Sequence, residues 1–342
     1  MNLDVSALTG KALLITGGTG MIGKWMIDYL LENVDCKIIV AGRSEEKFKH
    51  RFENALSDGR LCDRLLFLHW DPSRPTSLIQ QATFNLQLST LNIDFILHLA
   101  SNTHPVAYAS DPVSTIVMNV AATKELLDLA VAKKSRFVYA SSVEIYGQNR
   151  GDCEKFTEDY CGYIDCNTLR AGYPESKRCG EALCQAYIKQ YGLDVVIPRI
   201  ARVYGPTLQT DDSKALSQFL HRALEGQDIV LKSEGRQHFS YLHVADAVSG
   251  ILMIMLKGET GHAYNIADEK SDVTLRDLAS MIAQLAGRKV IFDIPADEER
   301  VGFSPAQLAR LDNAKLKRLG WSAQYDIRQG VDETLTMMRK GR

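Results

Sequence analysis

The sequence of 342 residues has little net charge and no long hydrophobic run. Its formal net charge of −2 excludes a global basic surface of the kind that attracts nucleic acid or an anionic membrane. The longest apolar run, residues 251–256, is too short to cross a bilayer, and the first residues lack the pattern of a secretory signal peptide. We therefore expect a cytoplasmic protein that binds neither nucleic acid nor membranes.

The sequence also lacks any Cys-x-x-Cys pair. Its seven cysteines are odd in number, which favours reduced thiols over a disulfide framework. A zinc site formed by Cys153, Cys161 and Cys166 would have no histidine nearby, so we expect no bound metal. Three histidines without ligand-like spacing are expected to be ordinary pocket or core residues: His104, His238 and His243.

The first half of the chain alternates short β-rich apolar runs with helical patterns. This alternation predicts an α/β fold, a doubly wound parallel sheet with helices on both faces. From about residue 205 the regular alternation gives way to isolated helical patterns and short strands, which indicates a second, smaller α/β lobe. We expect the large domain to span residues 1–190 with a returning segment at about 236–265. Residues 191–235 and 266–342 would then form the smaller lobe.

A glycine-rich loop connects the first predicted strand, residues 12–16, to an amphipathic helix. Glycines at this spacing permit a tight turn, a close backbone approach to a pyrophosphate, and close packing of the helix on the sheet. The helix N-terminus adds N–H donors and a favourable dipole for an anion. The order of strand, loop and helix predicts a dinucleotide-binding site formed by Gly17, Gly20, Met21, Ile22 and Gly23.

The residues after the second strand bear on the identity of the dinucleotide. An acidic residue that binds the adenosine ribose is expected about 20 residues beyond the loop, but that place holds Gly42 and Arg43. A guanidinium suits the 2′-phosphate of NADP, and Ser44 could add a donor, so NADP is favoured over NAD. Alternatively, Arg43 stacks on the adenine or faces solvent. Asp71 is a candidate acceptor for the adenine amino group, or a plain cap before Pro72.

Tyr173 and Lys177 lie four residues apart, which on a helix places them on one face, one turn apart. Pro174 fits only in the first turn of such a helix. A lysine charge about 4 Å from a phenol could lower the phenol's pKa of about 10 by roughly three units. We therefore predict that Tyr173, with a pKa near neutrality, accepts a hydroxyl proton while hydride leaves the same carbon.

Ser141 and Ser142 follow a predicted strand and so lie at the edge where doubly wound sheets bind ligands. A serine there can hydrogen-bond the reacting oxygen, or it can serve only as a turn hydroxyl. Glu144 lies two residues beyond Ser142. Alternation along an extended segment predicts that both side chains face the substrate.

Together these residues resemble the extended short-chain dehydrogenases/reductases, in particular the NAD-dependent epimerase/dehydratase group that acts on nucleotide sugars. The resemblance covers nearly the whole chain, and no single motif carries it. The motifs follow the family's order at residues 16–23, 98–101, 119, 141–147, 173–177, 199–206, 241–246, 264–266 and 319–321. The resemblance implies a Rossmann-type domain in which further residues contact the cofactor: Leu99, Ala100, Ser101, Tyr173 and Lys177.

The resemblance also implies a shared chemistry. Tyr173, Lys177 and Ser142 would oxidise a sugar carbon, usually C4, to a transient ketone, after which the reduced cofactor often returns the hydride. For the substrate diphosphate the resemblance points to Arg202, where many relatives have Asn, and to Arg300. Either arginine could equally be a solvated surface residue.

The reaction that follows the oxidation is left open. Where 4,6-dehydratases carry an Asp-Glu pair and UDP-glucuronate decarboxylases a Ser-Glu pair, this sequence has Val143 and Glu144. Valine cannot transfer a proton, so Glu144 is left as the candidate base of a second step, or as a structural residue. Residues 98–112 and 169–178 look most like the decarboxylases. Phe239, however, replaces an arginine of those enzymes, with only Arg236 nearby.

The leading interpretation is an NAD(P)-dependent nucleotide-sugar epimerase or dehydratase-type enzyme. The alternatives are a UDP-glucuronate decarboxylase-like enzyme, a nucleotide-sugar reductase, and a non-catalytic redox sensor that would not need Ser142, Tyr173 and Lys177 together. Residues 113–132 and 175–191 have apolar residues on more than one helical face, and the corresponding helices of the family pair into a four-helix bundle. We therefore expect a homodimer.

Overall fold

A computed structural model describes residues 3–72, 92–101, 111–209, 212–294 and 307–340. Its large sheet contains β1 (Ala12–Thr16), β2 (Lys37–Gly42), β3 (Leu65–His69), β4 (Phe95–His98), β5 (Arg136–Tyr139), β6 (Ser141–Ser142), β7 (Val195–Ile200) and β11 (Ala263–Ile266). The order is β3-β2-β1-β4-β5-β7-β11, with β6 beside β7, and all these pairings are parallel. The sheet winds outward in both directions from β1, which confirms the predicted doubly wound fold.

The α-helices of the described ranges are α1 (Met21–Asn33), α2 (Glu45–Arg51), α3 (Glu53–Ser57), α4 (Pro112–Lys133), α5 (Gly172–Tyr191), α6 (Ala215–Leu224), α7 (Val244–Lys257), α8 (Leu275–Ala286), α9 (Ala314–Arg318) and α10 (Ile327–Lys340). Short 3₁₀ helices occupy Ser6–Leu8, Cys62–Arg64, Val143–Tyr146, Leu169–Ala171 and Glu269–Ser271. Leu13 and Ile15 lie in one hydrophobic cluster and Leu14 in another. Successive strand side chains point to opposite faces, so both faces of the sheet are covered.

Two smaller sheets follow the carboxyl end of β7. They contain β8 (Arg202–Tyr204), β9 (Ile229–Leu231), β10 (His238–His243), β12 (Asp272–Thr274), β13 (Val290–Phe292) and β14 (Leu308–Ala309). One sheet has the order β12-β10-β14 with β8 beside β10, and the other pairs β9 with β13. Helices α6 and α8 pack against each other and against β9. These elements form the predicted smaller α/β lobe.

The strand pairings refine where the two lobes meet. Strand β7 belongs to the large sheet although it follows residue 190, and β10 pairs within the smaller sheet although it falls in the returning segment. Helix α7 of that segment packs on α1, and β11 is the edge strand of the large sheet beside β7. The exact division between the lobes stays a prediction. None of the helices in the described ranges combines the length and hydropathy that a membrane span requires.

Candidate active site

The glycine loop turns tightly between β1 and α1. Gly17 has a φ of 71°, and a Cβ there would lie 2.7 Å from the Ala100 backbone nitrogen. A Cβ on Gly23 would collide with the Gly17 carbonyl oxygen, so α1 approaches the loop more closely than a larger residue allows. Gly20 precedes α1, and its N–H donates to the Gly17 carbonyl at 3.0 Å. Together with the N–H groups of Met21 and Ile22 in the first turn, this cradle fits a pyrophosphate.

The chain after β4 lies directly against the glycine loop. The Ala100 N–H donates to the Thr16 hydroxyl at 3.2 Å, and the same oxygen lies 2.9 Å from Nδ1 of His98. Burial lowers the pKa of His98 to about 3, with the charge of Lys177 acting in the same direction, so the imidazole is neutral. These bonds join β1 to β4 at the point where the sheet winds in opposite directions. Doubly wound folds bind their ligands at this switch point.

Arg43 is exposed and directly follows β2, the position from which the sequence predicts recognition of the adenosine end. Ser44 is the N-cap of α2, and its hydroxyl accepts the Lys47 N–H at 3.0 Å. The hydroxyl hydrogen of Ser44 remains available as a donor. Asp71 follows β3 after one intervening residue, so it lies at the same carboxyl edge of the sheet.

Helix α5 carries the predicted catalytic pair. It begins at Gly172, so Pro174 falls in its first turn as expected, and Lys177 follows Tyr173 by one turn. Both side chains are buried, with 6% of Tyr173 and 3% of Lys177 exposed. The Lys177 ammonium donates to the Ala140 carbonyl oxygen at 2.9 Å and lies 6.0 Å from the centroid of the Tyr173 ring. Lys177 is thereby fixed between α5 and the end of β5.

Hydrogen bonds from α4 fix the start of α5. The Ser101 hydroxyl donates to the Asn119 side-chain oxygen at 3.0 Å, and the Asn119 amide donates to the Ser176 hydroxyl at 2.9 Å. The Ser176 hydroxyl donates in turn to the Tyr173 carbonyl oxygen at 2.7 Å. The end of β4, the buried Asn119 of α4 and the first turn of α5 are therefore joined in one chain of bonds. Such a chain holds the Tyr173 backbone at a fixed distance from the glycine loop.

Burial shifts the pKa of Tyr173 in the direction opposite to the one that the sequence predicts. It raises the pKa of Tyr173 to about 12, although a hydrogen bond with Ser142 acts against the rise. The charge of Glu144 raises the Tyr173 pKa further, whereas Arg170 and a hydrogen bond with Ser101 lower it. The predicted pKa near neutrality is therefore wrong for the protein alone. A phenolate in a dry site loses more hydration than one nearby lysine returns.

The structure also corrects the predicted extended segment after Ser142. Strand β6 ends at Ser142, and Val143–Tyr146 forms a 3₁₀ helix whose N-cap is the Ser142 hydroxyl. This hydroxyl accepts the Glu144 N–H at 3.2 Å. A serine competes well for backbone N–H groups, so it starts a turn where strand alternation predicts continued extension. Val143 is buried, and Glu144 still lies within electrostatic reach of Tyr173.

The Glu144 carboxylate lies between two arginines. Nη2 of Arg202 donates to Oε1 of Glu144 at 3.0 Å, and Nη2 of Arg170 lies 3.6 Å from Oε2. The Arg202 guanidinium carbon lies 3.7 Å from the centroid of the Phe239 ring. Arg202 thus contacts the Glu144 carboxylate, and its predicted contact with a substrate diphosphate stays a prediction. Arg300 lies outside the described residues.

Several residues at the site carried no signal in the sequence. Arg170 precedes α5, and no pattern in the sequence marks it as a partner of Glu144. Thr207 and Gln209 follow β8 and reach back to the glycine loop: the Thr207 hydroxyl donates to the Met21 carbonyl at 3.0 Å, and the Gln209 amide donates to the Thr19 carbonyl at 3.3 Å. Contacts between residues so distant in the chain leave no local pattern.

The described part of the chain contains no cluster of three or more residues suited to hold a metal ion, and its cysteines are unpaired. The expectation of no bound metal stays a prediction. His243 is buried between the rings of Trp25, Tyr204 and Tyr325, and burial lowers the pKa of His243 to about 4. His243 is therefore a core residue, as predicted. His104 lies outside the described residues.

The sequence is similar to those of known proteins over most of its length. A family model described as the NAD dependent epimerase/dehydratase family matches residues 13–267. UDP-glucuronic acid decarboxylase 6 of Arabidopsis thaliana is 29% identical over 324 residues, which cover 93% of this chain and 86% of the relative. UDP-glucuronic acid decarboxylase 1 of Xenopus tropicalis is 28% identical over 96% of this chain and 72% of its own.

Solved structures share the same fold. A dTDP-glucose 4,6-dehydratase from Streptomyces venezuelae, solved with NAD bound, superposes with a TM-score of 0.79 at 26% identity and covers 97% of this chain and 98% of its own. A UDP-glucose 4-epimerase from Thermotoga maritima, solved with UDP-glucose, has a TM-score of 0.79 at 22% identity over 96% of this chain and 99% of its own. The similarity therefore includes both lobes.

Proposed function

Because the chain belongs to the NAD-dependent epimerase/dehydratase family, we propose that it transiently oxidises a carbon, C4 by preference, of a nucleotide-linked sugar. The family consists of NAD-dependent enzymes, so this chain is an enzyme and the redox-sensor alternative is set aside. The observation that supports the proposal most directly is the placement of Tyr173, Ser142 and Lys177 at the carboxyl edge of the sheet, close to the glycine loop.

Each residue of this group has a distinct role in the proposal. Tyr173 accepts the proton of the sugar hydroxyl, and the Ser142 hydroxyl holds the reacting oxygen. The charge of Lys177, fixed by the Ala140 carbonyl, favours the ionised phenol. A nicotinamide ring, when bound, supplies the hydride acceptor and a positive charge that also favours the phenolate. The burial of Tyr173 and Lys177 keeps water away from the proton transfer.

The dinucleotide would be held along the edge of the sheet. The glycine loop with Met21 and Ile22 would bind the pyrophosphate, and Leu99, Ala100 and Ser101 would line its path toward Tyr173. Asp71 would accept the adenine amino group. We propose NADP as the preferred form because exposed Arg43, with Ser44 beside it, takes the place of the acidic residue that binds the ribose of NAD.

A decarboxylase is the second candidate. The relatives named UDP-glucuronic acid decarboxylase match almost the full length of this chain, and the arginines at Glu144 suit an acidic sugar. In a dehydratase Glu144 would remove the proton from the carbon next to the ketone, since that C–H is more acidic than in the alcohol. In a decarboxylase the bond between that carbon and the carboxylate would break instead. An epimerase or dehydratase would release no CO₂, whereas a decarboxylase would release one per turnover.

The proposal also includes a homodimer. Helices α4 and α5 pack against each other, and α4 exposes Val113, Ile116 and Val117 near its start. A second copy placed across a two-fold axis would cover this apolar surface and complete a four-helix bundle. The cytoplasmic location stays a prediction.

A direct experiment tests the function. Mass spectrometry identifies the nucleotides that co-purify, and NMR follows products from a panel of UDP-, GDP-, CDP- and dTDP-sugars. We expect one sugar nucleotide to reduce the bound cofactor and to yield a product altered at or next to C4. If no member of the panel reduces the cofactor or changes, the proposed function is wrong.

A further inference from the structure

A hydroxyl, a carboxylate and a guanidinium meet where β6, β7 and α5 come together. The Ser141 hydroxyl donates to Oε1 of Glu181 at 2.5 Å. Arg199, which is paired with Ser141 across the sheet, holds both oxygens of the same carboxylate: Nε donates to Oε1 at 3.0 Å and Nη2 to Oε2 at 2.7 Å. The side chains of Arg199 and Glu181 are only 12% and 14% exposed. A two-nitrogen contact of this kind fixes both the place and the orientation of the carboxylate.

The hydroxyl of Ser141 connects this ion pair to the catalytic side chains. Ser141 follows Ala140, whose carbonyl oxygen accepts the Lys177 ammonium at 2.9 Å. It precedes Ser142, whose side chain hydrogen-bonds Tyr173. Because Ser141 lies between these two neighbours in the chain, the contact with the carboxylate holds in place the backbone that positions both Lys177 and Tyr173.

Glu181 also acts on Lys177 through its charge. It follows Lys177 by four residues on α5, and side chains at this spacing are neighbours on one face of a helix, with Cβ atoms about 5–6 Å apart. Burial lowers the pKa of Lys177 to about 8, and the charge of Glu181 acts against this shift. Loss of the carboxylate would therefore favour the neutral amine.

Four further titratable side chains lie around Lys177 in the described structure: Tyr173 and Cys184 on α5, Tyr139 on β5 and His98 on β4. Burial raises the pKa of both phenols and of the thiol, and it lowers the pKa of the imidazole to about 3. All four groups are therefore neutral at pH 7. Glu181 supplies the negative charge that opposes the loss of the lysine proton.

A cavity of about 220 Å³ reaches the ion pair from the surface. Its lining includes Glu181 and Arg199 together with the exposed residues Asp159 and Cys161. A water molecule occupies about 30 Å³ in the liquid, so the cavity has room for several waters or for a small carboxylate ion. The contact between Glu181 and Arg199 is therefore accessible to small solutes although both side chains are largely buried.

We propose that Glu181 is a positioning residue for the proton transfer: it keeps Lys177 charged and, through Ser141, holds the backbone next to Lys177 and Tyr173. Arg199 fixes the carboxylate for this role. The inference rests on the proposed function, in which the charge of Lys177 favours the ionised form of Tyr173. If the carboxylate is lost, fewer molecules carry the charged lysine at neutral pH, and the oxidation slows without a matching loss of substrate binding.

NMR titration of Lys177 tests the electrostatic part without any substrate. The side-chain signal of Lys177 in the full-length protein with isotope-labelled lysine is assigned by its loss in Lys177→Met. A nearby opposite charge shifts a pKa by about 1–3 units, so we expect Glu181→Gln to move the Lys177 midpoint down by about one pH unit or more. Glu175→Gln, which removes a partly exposed carboxylate from the same helix, is the matched control and should leave the midpoint unchanged.

The substitution Glu181→Gln leaves Arg199 buried without its anion, which destabilises a fold. The double variant Glu181→Gln/Arg199→Gln removes both charges, and Arg199 is not among the charges that act on Lys177. If the single variant does not fold, the double variant should show the same lower midpoint. An unchanged midpoint in either folded variant would overturn the proposal.

Chemical rescue gives the second test. Glu181→Ala removes the atoms of an acetate ion beside a cavity that acetate can enter. With UDP-glucose and UDP-glucuronic acid as probes, we expect Glu181→Ala to lower kcat at least tenfold at pH 7, to change KM less than threefold, and to move the alkaline limb of the kcat profile to lower pH. Added acetate should restore kcat at least fivefold in Glu181→Ala and have no effect on the unsubstituted protein or on Glu175→Gln.

The two measurements separate this inference from the proposed function. If acetate restores neither the Lys177 midpoint nor kcat in a folded Glu181→Ala protein, Glu181 has only a structural role and the proposal is wrong. If the Lys177 midpoint shifts as expected but no sugar nucleotide reduces the cofactor, the proposed function fails while the action of Glu181 on Lys177 stands.

Discussion

The ammonium group of Lys177 lies 6.0 Å from the centroid of the Tyr173 ring, one helical turn along α5. Burial lowers the pKa of Lys177 to about 8, and the charge of Glu181 acts against this shift. Burial also raises the pKa of Tyr173 to about 12. Both shifts favour the neutral form of the side chain. The charge of Lys177, which the proposed mechanism requires, therefore lowers the stability of the fold.

Replacement of Lys177 by Met should stabilise the protein at neutral pH. Because the pKa of Lys177 is lower in the folded than in the unfolded state, its charge destabilises the fold fully below about pH 8. This cost, on the order of 3 kcal/mol, disappears as the pH rises toward the unfolded value of about 10.4. The lost hydrogen bond to Ala140 offsets about 1 kcal/mol. Lys177→Met should therefore gain about 2 kcal/mol at pH 7 and lose this advantage near pH 10.

Denaturant unfolding of Lys177→Met at the two pH values measures this difference. Lys189→Met, an exposed position on the same helix, is the control and should leave the stability unchanged. A Lys177→Met protein that is less stable than the unsubstituted chain at pH 7 would show that the lysine contributes more through contacts than its charge costs.

Tyr173→Phe should abolish turnover and leave cofactor binding within a few-fold. Only the proton acceptor is removed, and general-base catalysis is typically worth about 10²–10⁴-fold in rate. Tyr191→Phe, at the exposed end of α5, controls for the loss of a phenol from this helix. Product formation followed by NMR and cofactor titration give the two readouts. A fully active Tyr173→Phe enzyme would remove Tyr173 from the mechanism.

Arg43→Asp should weaken NADP binding far more than NAD binding. The substitution places a carboxylate where a 2′-phosphate would lie, and the same carboxylate suits the ribose hydroxyls of NAD. Arg43→Lys keeps the charge and should retain most of the NADP affinity. Titration of both dinucleotides decides the matter: if the two affinities fall together in Arg43→Asp, Arg43 does not recognise the 2′-phosphate.

Glu144→Gln should still allow the first oxidation and then stall. The amide retains the shape of the side chain but not its negative charge, and the ketone must form before a neighbouring C–H becomes acidic. Stopped-flow absorbance of the reduced nicotinamide should therefore appear on mixing with substrate, and a keto-sugar should accumulate. Thermal unfolding supplies the control for a merely structural role. Normal product formation, or no cofactor reduction by a well-folded variant, would contradict the sequential role.

Val117→Lys should shift the protein from dimer to monomer. Val117 is 55% exposed on α4, and a lysine charge in the middle of an apolar contact is not compensated there. Ile291→Lys, also an exposed apolar residue but on β13, should leave the assembly unchanged. Light scattering at micromolar concentration measures the mass. A stable monomer before any substitution would contradict the predicted homodimer.

Much of the fold could be predicted because its signals are local. The predicted helices 113–132 and 175–191 correspond closely to α4 and α5, and residues 12–16 are β1. The helical pattern of residues 45–56 predicts one helix, whereas the chain forms two short helices with Phe52 between them. The apolar run at residues 194–198 predicts a strand, and the structure has the longer β7, Val195–Ile200, which pairs on both sides within the large sheet. Periodicity finds an element more reliably than its ends, which depend on neighbours.

The sequence by itself determined the glycine loop and the pair Tyr173 and Lys177, because a turn and a helical face depend on residues a few positions apart. Only the tertiary structure decided what surrounds them. It joined Glu144 to Arg170 and to Arg202, which is 58 residues away in the chain, and it buried the tyrosine deeply enough to raise its pKa. Charge pairing and desolvation depend on distances in space, which residues far apart in sequence acquire only when the lobes fold together.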